Sequence, residues 1–334
     1  MIKIGLIGYG YWGPNLVRNF ASTLGCKVEM IADQRAERLV AVSKLYPDVR
    51  VTKDPLDIIN DKNINAVIIA TPVFTHFSLA KLSIENSKHV LIEKPMTSTV
   101  EESDILINLA VQKKICLMVD HTFLYTAAIE KMKELIENNT LGQLNYFDST
   151  RINLGLFQPD VNVLWDLAPH DLSMLIHLIP QKPVSVNATG ISHTNNGIEN
   201  IAYLTVNYQD NFIAHINCSW TSPVKVRSTL IGGSEKMIVF NDLEPSEKIR
   251  LYDTSYFHKT DEEKNKILVD YRVGDILMPK LPAKEALTGV AFDFVNSIAN
   301  NSSPLSNGII GKSIVEILEA SQKSIKQNGK EIKI

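Results

Sequence analysis

The residues best equipped for chemistry fall in two short stretches. In HVLIEKP, residues 89–95, an apolar run ends directly in Glu93, Lys94 and Pro95. An ammonium beside a carboxylate at the end of a buried strand can hydrogen-bond a substrate oxygen and stabilise negative charge on it. In VNVLWDLAPHD, residues 161–171, Asp166 and His170 are four positions apart and share one face of a helix. An imidazole placed there can take a hydroxyl proton, with the carboxylate orienting it. The plainer roles are a capping Asp166 at a helix start, with Pro169 in the first turn, and a structural His170. His177, two turns on, reads as packing. No third ligand joins His170 with Asp166 or Asp171 at a useful spacing, so no metal is expected.

A third stretch prepares a binding site. GLIGYGYWGPN contains Gly8-x-Gly10-x-x-Gly13 directly after an apolar strand and at the start of a helix. Gly8 suits the tight turn, Gly10 lets a pyrophosphate approach the backbone, and Gly13 permits close helix–strand contact. Amides around Tyr11, Trp12 and Gly13 would face the phosphates at a helix N-terminus, where Pro14 costs nothing. Asp33 follows the second strand, 20 positions after Gly13. Its carboxylate can accept from both hydroxyls of an adenosine ribose and repel a 2′-phosphate, which favours NAD over NADP, with Arg35 and Arg38 near enough to soften the preference.

These residues need a scaffold. Apolar strands at 2–8, 26–32, 64–70, 89–93 and 115–120 alternate with helical stretches at 14–24, 36–46, 76–86 and 99–113, the pattern of a parallel sheet covered on both faces. Ligands of such sheets bind beyond the carboxyl ends of the strands. Thr71-Pro72 and Glu93-Lys94-Pro95 both punctuate strands at that edge, and an X-Pro bond there can be cis. After residue 120 the texture changes. Helices near 127–138 and 167–178 frame a strand, and then several alternating strands follow with little helix. NYQDNF reads as a hairpin turn, and two helices, 286–299 and 310–327, end the chain. The sequence therefore predicts an α/β Rossmann parallel-sheet domain over 1–120. An α+β domain with a large, mostly antiparallel sheet follows over 121–334.

Composition narrows the function. The chain has 334 residues, a formal net charge of −3, 45% hydrophobic and 21% charged residues, so no basic field invites nucleic acid or anionic lipid. The N-terminus reads as a strand rather than a signal peptide, and no window is apolar enough for a membrane span. Its 3 cysteines are far apart, which suits reduced thiols and a cytoplasmic setting.

Four features in order, GYGYWG, ATPVFTH at 70–76, EKP at 93–95 and WDLAPHD at 165–171, resemble the glucose-fructose oxidoreductase / inositol dehydrogenase / rhizopine-catabolism family of NAD(P)-dependent sugar oxidoreductases. The resemblance spans essentially the whole chain. It implies that Lys94 and His170 face the substrate beside the nicotinamide, with Asp166 orienting or binding a sugar hydroxyl. Thr71, Pro72, His76 and Glu93 would join the cofactor site, and Arg151 and Asn153 the substrate site. Arg151 could pair with a substrate phosphate or carboxylate, or make a surface contact. The formal base, Lys94 or His170, stays open, because two such groups would titrate as a pair. The family's second domain has an open-faced sheet, which implies a homodimer or homotetramer through it.

HTFLY at 121–125, residues 151–171 and residues 231–253 resemble the branch acting at the 3-hydroxyl of UDP-N-acetylglucosamine or its uronic acid in surface-polysaccharide biosynthesis. Leu124 stands where many inositol-type members carry an Arg. An inositol or free-aldose dehydrogenase is the second expectation, and a dinucleotide-sensing regulator without turnover the third.

Overall fold

The computed structural model describes residues 1–334 except Leu156, Asp210 and 258–269. In chain order it runs β1 (Ile2–Ile7), α1 (Gly13–Ser22), β2 (Cys26–Ala32), α2 (Ala36–Leu45), β3 (Arg50–Thr52) and α3 (Pro55–Asn60). Next come β4 (Ala66–Ile69), α4 (His76–Glu85), β5 (His89–Glu93), α5 (Val100–Lys113) and β6 (Leu117–Asp120). Then follow α6 (Ala127–Glu137), β7 (Leu144–Leu154), α7 (Val163–Leu178), β8 (Pro183–Ile191), β9 (Ile201–Tyr208) and β10 (Ile213–Ser219). The remainder is β11 (Thr221–Gly233), β12 (Met237–Asn241), β13 (Ile249–Phe257), β14 (Asp270–Leu277), α8 (Ala286–Asn300), α9 (Gly308–Lys326) and β15 (Ile332–Lys333).

The chain forms two compact units, Met1–Thr126 with Lys284–Glu316, and Ala127–Ala283 with Ile317–Ile334. This differs from a single boundary near residue 120. Residues of α8 complete the first unit through specific contacts: Tyr125 Oη donates to Asp293 at 2.7 Å, and Phe294 packs edge-on against Phe20. Return segments of this kind leave no local signature, because the apolar face of α8 does not say which sheet it will cover.

The first unit holds a six-stranded sheet ordered β3-β2-β1-β4-β5-β6, all parallel. Strand order reverses between β1 and β4, so the carboxyl ends around that pair form the crevice where doubly wound sheets bind ligands. The strands are short apolar runs because both faces are covered; all of Ala66–Ile69 is buried. Helix α5 starts as its sequence dictates. Thr99 caps it by accepting from the Glu102 amide, and Glu101 and Glu102 occupy the first turn. Residues 50–60 hold β3 and α3, which the sequence did not reveal. A three-residue strand and a single short helix are below what periodicity resolves.

The second unit carries a nine-stranded sheet ordered β14-β13-β12-β11-β7-β10-β9-β8-β15. It is antiparallel except for β7 against β10, which run parallel. Strands β9 and β10 form the expected hairpin across NYQDNF, of which Asp210 lies outside the described residues. Alternation sets the faces: Ala202, Leu204 and Val206 are fully buried, whereas Tyr203 is 48% exposed. Helix α7 packs on the covered face against β7, β9 and β10.

Candidate active site

The glycine loop after β1 has the shape its spacing demands. Gly8 takes φ 98°, and a Cβ there would stand 2.4 Å from the Ala70 carbonyl oxygen. A Cβ at Gly13 would meet the Gly8 carbonyl oxygen at 2.6 Å, so the helix could not approach the strand. Gly10 has only the Arg35 guanidinium near its missing side chain, at 3.7 Å. The loop thus offers bare backbone to an incoming group. Trp12 precedes α1 without a side-chain cap; Pro14 has no N–H and the Asn15 and Leu16 amides bond the Trp12 carbonyl, so the Gly13 amide is the first-turn donor left for an anion. Tyr11 is 85% and Trp12 40% exposed, edge to face with each other. These residues fit a dinucleotide pyrophosphate.

Asp33, at the end of β2, is nearly buried and faces this loop. Its Oδ2 accepts from the Tyr9 amide at 2.8 Å, and its Oδ1 from the Arg35 amide at 2.9 Å and from Arg35 Nε at 3.1 Å. Burial opposes the charge, but the hydrogen bonds from Arg35 and Tyr9 outweigh it and hold the carboxyl below its ordinary range. Arg35 therefore does more than lie nearby: it occupies the carboxylate edge that ribose hydroxyls would use.

The β4 and β5 ends are tied together by His76. Its Nδ1 lies 2.9 Å from the Pro95 carbonyl oxygen and its Nε2 2.8 Å from that of Thr71. The ring is 1% exposed, and burial lowers its proton affinity despite these carbonyls. His76, expected at the cofactor site, is thus sealed inside between the two turns, and its neutral ring can donate to only one of these carbonyls. Thr71 Oγ1 pairs with Thr75 Oγ1 at 2.6 Å beside Pro72. The Lys94–Pro95 peptide is cis. Lys94 is half-buried, and its amide donates to Glu93 Oε2 at 3.2 Å.

Glu93 does not stand open toward a ribose. It is 9% exposed and hydrogen-bonded to Asp120, its register partner on β6. Asp120 escaped notice in the sequence, although a carboxylate ending the apolar run LMVD repeats the pattern of VLIE. Next to it His121 is buried, with burial and the charge of Lys94 pushing it down to about 3, so its ring is neutral.

In the second unit, α7 presents Asp166 and His170 on one face, as the spacing requires. The cap is Asn162, not Asp166: its Oδ1 accepts from the Leu164 and Trp165 amides, and Pro169 lies inside the helix. Starting the helix earlier frees the Asp166 carboxylate from capping. Trp220 holds it instead, donating from Nε1 to Oδ2 at 3.0 Å. The Trp220 ring also packs where a Gly155 side chain would be, and Asn153 Nδ2 stands 3.2 Å from that same position. Trp220 thus holds Asp166, and Asn153 lies near the same glycine; nothing in the local sequence of Trp220 announced this.

Arg151 makes neither a surface contact nor an open subsite. It is 3% exposed, with Nε 2.7 Å from Asp171 Oδ2 and Nη2 3.0 Å from Oδ1. Ser149 Oγ donates to the same carboxylate at 2.8 Å. This correction follows from the β7 register, which turns Arg151 inward onto Asp171 of α7, the residue after His170. Among the described residues no group of three or more His, Cys, Asp or Glu could hold a metal ion, and no helix is long and apolar enough to cross a membrane.

A glycine-cradled crevice at the switch point of a parallel sheet, with an acid at the second strand, defines an NAD-binding oxidoreductase domain. Residues 2–121 match the model of the oxidoreductase family with an NAD-binding Rossmann fold, and residues 129–239 match the GFO/IDH/MocA C-terminal domain. The chain belongs to the Gfo/Idh/MocA family. It is 26% identical over 333 residues, 94% of each chain, to UDP-N-acetylglucosamine 3-dehydrogenase of Acidithiobacillus ferrooxidans. The solved structure of that enzyme superposes with a TM-score of 0.80 at 23% identity, covering 98% of both chains. Two other relatives match over shorter spans. The uncharacterized oxidoreductase YdgJ of Escherichia coli (strain K12) is 33% identical over 190 residues, about half of either chain at 53%. The scyllo-inositol 2-dehydrogenase (NADP(+)) IolW of Bacillus subtilis (strain 168) is 29% identical over 222 residues, 62% of this chain and 60% of that one.

Proposed function

We propose that this chain is an NAD-dependent dehydrogenase interconverting a secondary sugar hydroxyl and its ketone. Its substrate in this reading is a UDP-N-acetylhexosamine or its uronic acid, reacting at C3 in surface-polysaccharide biosynthesis. The observation that carries the substrate class is the match over 94% of both chains to UDP-N-acetylglucosamine 3-dehydrogenase. The likeness to the inositol enzyme covers only 60% of that protein, and it supports a free ring polyol as the second substrate class.

Lys94 donates to the substrate oxygen and stabilises its alkoxide character. His170 takes the hydroxyl proton, and Asp166, steadied by Trp220, orients it or binds a neighbouring hydroxyl together with Asn153. Bound NAD supplies the hydride acceptor. Asp33, held ionised by Arg35 and the Tyr9 amide, repels a 2′-phosphate, while Arg35 across its edge softens that preference and must yield it for ribose hydroxyls to bind. Tyr11, Trp12, Thr71 and Pro72 complete the cofactor side. A homodimer or homotetramer through the open face of the second unit's sheet is part of the reading, supported by exposed Tyr203 stacked on His215.

The test incubates purified protein with NAD or NADP and a panel of UDP-sugars, inositols and aldoses, following NADH absorbance. Turnover of a UDP-N-acetylhexosamine is the expected result. Turnover of inositols alone moves the chain to the second substrate class. Tight NAD binding without turnover on any sugar would falsify the dehydrogenase reading in favour of a sensor. Light scattering decides the oligomer.

A further inference from the structure

Two carboxyl groups that this reaction does not use lie side by side at the ends of β5 and β6. Glu93 and Asp120 are partners in the parallel register, are 9% and 2% exposed, and hydrogen-bond to each other. Two carboxylates cannot make that bond, so a proton sits between them. Burial, and then the charge of Asp120, push Glu93 well above the ordinary carboxyl range, with Lys94 opposing. Burial pushes Asp120 only to about 6, because hydrogen bonds from Thr122 and Glu93 and the charge of Lys94 work the other way. Thr122 Oγ1 donates to Asp120 Oδ1 at 2.8 Å and steadies the charged partner.

The charged groups bearing on the two acids are each other and Lys94. Two buried imidazoles, His76 and His121, also feel Lys94, and burial disfavours the charged form of both. Neither ring nitrogen of His121 has a hydrogen-bond partner among the described residues. At neutral pH the cluster therefore carries one negative charge, on Asp120, and one proton, on Glu93.

We propose that Asp120 is the positioning residue for Lys94: its carboxylate anchors the ammonium, while Glu93 serves as a neutral acid donating to Asp120. The proposal rests on the reading of Lys94 as donor to the substrate oxygen. Proton sharing holds the acid pair at a single negative charge, matched to the single positive charge of the lysine. A second ionised carboxylate here would be buried without a counter-charge.

The test labels the carboxyl carbons of Asp and Glu in the full chain and follows their titration by NMR. Wild type is compared with Lys94→Met, Glu93→Gln and, for assignment, Asp120→Asn. The Asp120 signal titrates near pH 6 in the wild type. It moves up by about one pH unit or more in Lys94→Met, because the cation favouring its charged form is gone. It stays within about half a unit in Glu93→Gln, since the amide still donates and no charge is lost. A signal indifferent to Lys94→Met overturns the proposal. So does a fall of about a unit or more in Glu93→Gln, which would mean that Glu93 had carried a repelling charge.

With a sugar that turns over, Asp120→Asn loses the acid limb of kcat near pH 6 and lowers kcat roughly tenfold to a hundredfold, with KM for NAD changed less than about threefold. Asp120→Glu recovers part of it. A wild-type limb and kcat in Asp120→Asn would also overturn the proposal. Should no sugar react, the dehydrogenase reading falls, and the carboxyl titration still decides the role of Asp120.

Discussion

Each unit of this protein buries a carboxylate, and the two are accommodated by opposite means. Asp171, 1% exposed, is neutralised by a permanent cation, with Arg151 gripping it through two nitrogens and Ser149 adding a third hydrogen bond. Asp120, 2% exposed, shares a proton with Glu93 and feels the charge of Lys94 from the next residue along. In the first arrangement the guanidinium keeps its charge. In the second, burial raises the Asp120 carboxyl to about 6. In the proposed mechanism, a fixed ion pair suits the helix that carries His170 and Asp166, and a titratable cluster suits the strand edge where Lys94 would meet the substrate oxygen.

The sharpest way to break the contrast is Arg151→Met. It leaves Asp171 buried without its cation and should cost about 3–5 kcal/mol of stability in denaturant unfolding. A change under about 1 kcal/mol would show that the pair is no better than a surface one. In the first unit, Lys94→Ala should lower turnover roughly 10²–10³-fold, as loss of one oxyanion donor does. Full turnover in that variant would sink the proposed role of Lys94.

The linkage to pH sharpens the same comparison. The Asp120 carboxyl is raised from its ordinary value to about 6 on folding, so the protonated form is favoured in the folded state. Its contribution to stability is complete below about pH 4 and fades as pH rises through about 6. Asp120→Asn should therefore gain on the wild type by up to roughly 2–3 kcal/mol between about pH 4 and pH 7, read as a growing difference in Tm. The smallest effect is expected of Trp220→Phe. It keeps the ring packing but withdraws the hydrogen bond to Asp166, worth about 1–2 kcal/mol, and should appear as a several-fold loss in kcat/KM with little change in Tm.

How far the sequence could be read differs between the same two regions. Around Lys94 the signals were local. Gly8 and Gly13 are required by contacts within one strand–turn–helix unit, Thr99 caps the helix that follows it, and Pro95 stands where an apolar strand stops. Such features are short-range steric and hydrogen-bonding demands, so a linear sequence displays them. Around His170 the local signals misled. Pro169 suggested a helix beginning at Asp166, whereas Asn162 caps a helix that contains the proline. Capping side chains compete, and the winner here also donates to Glu199 and to Gln322, which lies far along the chain.

By itself, then, the sequence determined the parallel and mostly antiparallel sheets, the glycine cradle, the placing of Lys94 at a strand end, and the shared helical face of Asp166 and His170. Each depends on periodicity or on neighbours within a few residues. Only the tertiary structure decided that Glu93 pairs with Asp120, that Arg151 locks onto Asp171, that Trp220 steadies Asp166, and that Lys284–Glu316 returns to the first unit. These are choices of partner across long loops. A buried polar group must find some partner, but which one it finds is set by strand order and register, and those are properties of the folded chain.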